Sequence, residues 1–147
     1  MTLLLYGLYL FLAVFAAGNM VTLQIQHYGI YPFVGKAAFG AYMQANNKAA
    51  LLPSILPAMV LLLVSGALLF VRPPFLPKAV AAASLGLNLA ALLSTVVWQR
   101  KIQAQLAVSG YQESEVRRLL ATNWIRTGLF IIQAGLAVAI TLRALSR

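Results

Sequence analysis

The chain has 147 residues, 62% of them hydrophobic and only 9% charged, with a formal net charge of +9, one histidine and no cysteine. A soluble domain carries roughly 25% charged residues, so this composition predicts an integral membrane protein, a single membrane domain over residues 1–147 with no soluble catalytic module. The absence of cysteine excludes thiolate nucleophiles, disulfide exchange and Cys-ligated metals.

About 20 consecutive apolar residues cross the hydrocarbon core as a helix. Four runs qualify, at about 3–23, 51–71, 79–97 and 124–142. They are continuous rather than alternating, which favours helices over a barrel. The predicted fold class is an all-α integral membrane protein. It is a four-transmembrane-helix bundle with one interfacial helix in the first long connection and a helical extension before helix four.

The first run lacks a basic leader and a small-residue cleavage site, and reads as a transmembrane helix rather than a signal peptide. It turns polar at its end, where Gln24, His27, Tyr28 and Tyr31 share one helical face. Tyr31-Pro32 then ends or kinks the helix. Residues 33–48 are too polar to span and predict a short interfacial helix. In the second run Pro57 predicts a kink and a freed carbonyl. Three prolines at 73, 74 and 77 make a stiff connection to an antiparallel third helix.

The third run places Ala82, Gly86, Ala90 and Ser94 four residues apart, a ridge for close helix approach within the bundle or, alternatively, for a homo-oligomer. Asn88, Thr95 and Gln99 mark a polar line, which a neighbouring helix can satisfy. From Gln99 to Ala121 the chain is polar. Ser109 to Gln112 suggests a capping box, with Glu113 and Glu115 in the first turn of a helix that runs on into the fourth span.

That span opens on Asn123, Trp124, Ile125, Arg126 and Thr127. Asn123, Arg126 and Thr127 share a face that Gln133 extends. No acidic residue lies in the run. A charge at membrane depth costs about 3 kcal/mol on insertion scales, so Arg126 either snorkels to the headgroups or serves a site. With four spans, both long connections fall on one side and bring His27, Tyr31, residues 44–47, Trp98 and the Asn123–Arg126 face together. Six Lys and Arg flank that end, against Arg72, Lys78, Arg143 and Arg147 at the other, which leans towards a cytoplasmic location for it. The expected location is a bacterial inner membrane, with the protein crossing it several times.

One histidine and no cysteine cannot build a bis-His haem or a common zinc site. Without acidic residues in the spans there is no di-iron carboxylate centre, and no phosphate or dinucleotide loop is present. The 11 Lys and Arg are scattered rather than striped, which points to membrane lipids and not nucleic acid as partners. No metal or cofactor is therefore expected. His27 and Arg126 are the candidate catalytic residues, one as a base and one as a fixed cation for an anion or enolate. Gln24, Tyr31, Trp98, Asn123, Trp124 and Thr127 are candidates for binding a lipophilic small molecule.

Gln24 followed by Tyr31-Pro32 and Val34-Gly35, then Phe39 and Tyr42, and finally Asn123-Trp124-Ile125-Arg126-Thr127 form a pattern. It resembles the small four-span membrane family of unknown function that includes the fungal anthrone oxygenases. The likeness covers the whole chain in layout, and its specific residues fill two short stretches. The resemblance implies oxidation of anthrones to anthraquinones without metal or flavin, carried over to Tyr31, Pro32, Asn123, Trp124 and Arg126. The chain departs from the family pattern at Ala38 and Met43, where an acidic residue and a histidine are expected. Two classes of function follow. One is a cofactor-independent oxygenase-like enzyme acting on a lipophilic aromatic. The other is a non-enzymatic lipid- or quinone-binding protein, or a small subunit of a larger membrane complex. A small four-span glutathione- or lipid-metabolising transferase is a third, and would need a richer cationic pocket.

Overall fold

Helices dominate because the lipid-compatible runs contain almost nothing that breaks one, and the breaks that occur fall at proline, glycine and π turns. The computed structural model describes residues 1–146. Helix α1 (Thr2–Thr22) continues through a π turn (Leu23–His27) into a 3-10 stretch (Tyr28–Phe33). Pro32 is held inside that stretch, and the chain turns extended only at Val34. Helix α2 (Phe39–Ala49) leads through a second π turn (Leu51–Ile55) into α3 (Leu56–Ala67). Helix α4 (Lys78–Ser94) passes through a third π turn (Thr95–Gln99) into α5 (Arg100–Ser109), and α6 covers Glu113–Leu145. Among the described residues there is no strand.

Three of these continuous helices are long and apolar enough to cross a membrane: Thr2–Phe33, Lys78–Ser109 and Glu113–Leu145. A fourth results if the bent pair α2–α3 is counted as one span. At 1.5 Å per residue, each of the three is roughly 48 Å long, well beyond the ~30 Å of a hydrocarbon core.

The surplus length builds a second core. The larger core packs α1, α3, α4 and α6 around Tyr9, Ala13, Leu61, Ala81, Ala91 and Phe130. The smaller one joins Tyr28, Tyr31, Phe39, Met43, Leu106 and Leu119. It is formed where α2 and α5 pack together beside the start of α6.

The bend between α2 and α3 is 44°. Proline at 53 has no N–H for the Ala49 carbonyl, and the backbone answers with the π-type bond from Ile55 N–H to Ala50 O. Pro57 likewise leaves the carbonyl of residue 53 without its helical donor. Asn19 fills the gap, donating from Nδ2 to Pro53 O at 3.0 Å and to Ser54 Oγ at 3.1 Å. The carbonyl expected to be freed by Pro57 is thus bound by a neighbouring helix.

Three expectations are corrected. The polar stretch after Trp98 is no long connection, because α5 continues the third helix to Ser109 and only residues 110–112 turn. Gly110 makes that turn at φ 76°, a conformation costly for any side chain. Second, Ser109 does not start a capping box. Its hydroxyl donates back to Gln105 O, and Gln112 itself is the N-cap residue without a side-chain cap bond. Third, Ala82, Gly86 and Ala90 do not pack inside the bundle. They lie on the exposed face of α4, whereas Ala81, Ser84, Asn88, Ala91 and Ser94 are the buried residues. The ridge fails as a bundle contact because it runs one residue out of phase with the face that the larger core covers.

Candidate functional site

All three π turns fall near the level of Arg126, where the larger core gives way to the smaller. Such turns insert a residue into a helix and re-aim its neighbours, and they recur at functional sites. Here they present Gln24, Ser54 and Thr95, one from each of the three other helical stretches.

The central unit is Asn123, fully buried on α6. Its Nδ2 donates to Gln24 Oε1 at 2.6 Å, and its Oδ1 accepts from Arg126 Nη2 at 2.6 Å. Gln24 Nε2 in turn donates to Leu120 O at 3.2 Å, fixing the first π turn to α6. Thr127 Oγ donates to Asn123 O at 3.0 Å and closes the same face.

Arg126 is partly buried. Its Nη1 donates to Thr95 Oγ at 3.3 Å and Nη2 reaches Tyr28 Oη at 3.5 Å. Every partner is neutral. The Nε hydrogen is buried without any partner. The acidic residues are engaged elsewhere, Glu113 with Arg117 and Glu115 beside Arg118. An uncancelled cation held by neutral dipoles in a low-dielectric setting attracts an anion strongly.

The same guanidinium lines a crevice of about 90 Å³. Its inner wall is Met20, Asn88, Ala91 and Phe130, with Thr95 and Arg126 at one end. The mouth lies between α3 and α4, flanked by the exposed Ile55, Met59 and Leu92. The lining is apolar apart from Ser54, Asn88, Thr95 and Arg126.

A second cluster adjoins the first. Asn46 Nδ2 donates to Tyr31 Oη at 3.3 Å, which leaves the tyrosine proton free to point at His27 Nε2, 3.4 Å away. The His27 ring packs against Tyr28, Tyr31 and Tyr42 at centroid distances of 5.5, 5.5 and 6.3 Å. Tyr28 joins the two clusters, since its hydroxyl meets Arg126 and also accepts from Gln103 Nε2 at 3.1 Å.

The residues singled out in the sequence therefore divide. Gln24, Asn123, Arg126 and Thr127 form one network, and His27 and Tyr31 an adjacent aromatic cluster that does not line the crevice. Trp98 is half-buried against the smaller core. Trp124 is 53% exposed on the outer side of α6 and takes no part in the network. Gln133 shares Arg126's face as its spacing predicts and is fully buried, yet neither amide atom has a hydrogen-bond partner.

Sequence reasoning missed Tyr28, Met20, Ser54 and Phe130 as site residues. Thr95 and Asn88 were visible as a polar line, but not as parts of the crevice. The pairing of Thr95 with Arg126 depends on how α6 packs beside the third helix, which residue spacing does not give. Among the described residues, no three His, Asp or Glu come together in a set able to hold a metal ion. No family model, curated protein or solved structure matches the chain.

Proposed function

We propose that the protein is a four-span membrane protein that binds a lipophilic molecule from the bilayer. The ligand enters between α3 and α4 and sets an oxygen that carries or develops negative charge on Arg126. The observation that carries this reading is Arg126 itself, partnered only by neutral groups and lining the end of an apolar crevice. A snorkelling arginine needs no such crevice and no buried asparagine at 2.6 Å.

The test uses the purified protein in nanodiscs of zwitterionic lipid. Binding of 9-anthroate, a flat aromatic carboxylate, is compared with its carboxamide. The wild type binds the carboxylate at least tenfold more tightly, and Arg126→Gln abolishes the preference. Equal preference in both proteins contradicts the reading.

An enzymatic form of the same reading rests on one observation. His27, the only candidate base, lies outside the crevice but packs on the Tyr28 ring, whose hydroxyl meets Arg126. An anthrone losing a proton becomes a flat enolate, the kind of oxyanion Arg126 would hold. Dioxygen would then supply the second carbonyl oxygen, with water released. Oxygen uptake with anthrone substrates should fall at least tenfold in both Arg126→Ala and His27→Ala. Equal rates in all three proteins leave binding alone. The bacterial inner membrane remains the proposed location.

A further inference from the structure

At the end of the crevice away from Arg126 stands Asn88, 4% exposed. The orientation of its amide is fixed by its neighbours. Ser65 Oγ gives its own hydrogen to Leu61 O at 2.8 Å, so towards Asn88 it can only accept. Asn88 Nδ2 donates to it at 2.8 Å. The second amide hydrogen goes to Ser84 O at 3.2 Å, a carbonyl that can only accept. Both hydrogens are thereby used, and turning the amide over would set oxygen against oxygen twice. What remains for the crevice is Oδ1, an acceptor with no donor among the described residues. It opens onto the crevice, where a donor from a bound molecule would complete it.

The two ends of the crevice thus have opposite character, a donor at Arg126 and an acceptor at Asn88. Arg126 bonds Thr95, seven residues beyond Asn88 on the same helix, which is about 10 Å along the axis. With a hydrogen bond of about 2.8 Å at each end, the span suits one six-membered ring with an oxygen at either end, the two para to each other. The size of the crevice agrees, since an apolar cavity of about 150 Å³ encloses a benzene ring, and this one of about 90 Å³ is open at its mouth. One ring enters edge-on, and its substituents stay in hydrocarbon between α3 and α4.

We infer that the site takes the head of a para-dihydroxylated aromatic lipid, a quinol, and selects it over the corresponding quinone. The inference rests on the Arg126 reading above. Arg126 donates to one ring oxygen, which either redox form can accept. Asn88 Oδ1 needs a hydrogen from the other oxygen. A quinol supplies it, whereas a quinone carbonyl meets an acceptor with an acceptor. The protein is therefore a holder of the reduced form.

The experiment measures binding of a decyl-substituted benzoquinone and of its quinol to the wild type in zwitterionic nanodiscs without oxygen. The quinol dimethyl ether, which has no donor, is the third probe. The wild type should bind the quinol about tenfold more tightly than the quinone or the ether, the worth of one buried hydrogen bond. In Asn88→Ala the preference should fall below threefold, and in Arg126→Gln both redox forms should weaken together. Equal binding of the three probes by the wild type overturns the assignment of Asn88 and needs no variant. If Arg126→Gln still weakens binding in that case, the Arg126 reading stands alone. If Arg126→Gln binds all three as the wild type does, or the wild type binds none, both fall.

Discussion

Two knots of buried polar side chains lie two helical turns apart along α4, and they are built on different terms. The first joins Tyr9 to Ser84 through their hydroxyls at 2.8 Å and Asn88 to Ser65. All its members are neutral, and three helices gain a cross-link without burying a charge. The second joins Gln24, Asn123, Thr127, Thr95 and Tyr28 around a cation with no counter-charge. Neutral knots hold helices together by hydrogen bonds in the way expected where few other polar partners exist. A lone buried charge weakens a fold unless it is paired. Hydrogen bonding between helices accounts for the first knot, apart from the Asn88 oxygen left to the crevice. The second holds a partly buried cation that no acidic side chain neutralises.

Substitutions can separate the two. The largest stability loss is expected for Asn123→Leu, which strips Arg126 of its 2.6 Å acceptor and Gln24 of its donor. Unfolding should become easier by about 3 kcal/mol, because a charged group loses its partner, and denaturant titration in detergent measures it. Arg126→Gln should behave in the opposite way. It removes the charge and keeps a donor for Asn123, so thermal stability should hold or rise, although binding of the anionic probe is lost. Loss of both together would make Arg126 a structural residue.

In the neutral knot, Tyr9→Phe should cost about 1 kcal/mol, one hydroxyl bond, with ligand binding unchanged. Asn19→Leu should cost a similar amount, about 1 kcal/mol. It releases Ser54, which lines the crevice, so it should also change the ligand association rate, which stopped-flow fluorescence reads. The smallest effect is expected at the exposed face of α4. Ala82→Leu should change stability by less than about 0.5 kcal/mol. A shift in oligomeric size by light scattering would show instead that this face meets a second copy.

The difference between the knots also explains what could be read from the chain. Helices follow from uninterrupted apolar runs, and the freed carbonyl in the second from Pro57. The grouping of Asn123, Arg126 and Thr127 follows from spacing within one element. Placing Gln24 with them needed only the return of the chain to the same end. What spacing could not supply was phase. Trp124 lies next to Asn123 in sequence yet points outward, and Ala82, Gly86 and Ala90 form a regular ridge on the wrong side of α4. Each depends on which face the other helices cover, a property of the packed whole. The π turns are a further case. Each shifts the register of the residues beyond it, which no pattern of residue types records.

The central claim is that Arg126 stabilises a negative oxygen inside an apolar crevice. The most direct measurement is the ionisation of a lipophilic nitrophenol bound to the protein in zwitterionic nanodiscs, followed by absorbance across pH. The account predicts that the bound phenol ionises at a pH lower by about one unit or more in the wild type than in Arg126→Gln, one unit being about 1.4 kcal/mol of preference for the anion. The same ionisation curve in both proteins would contradict it.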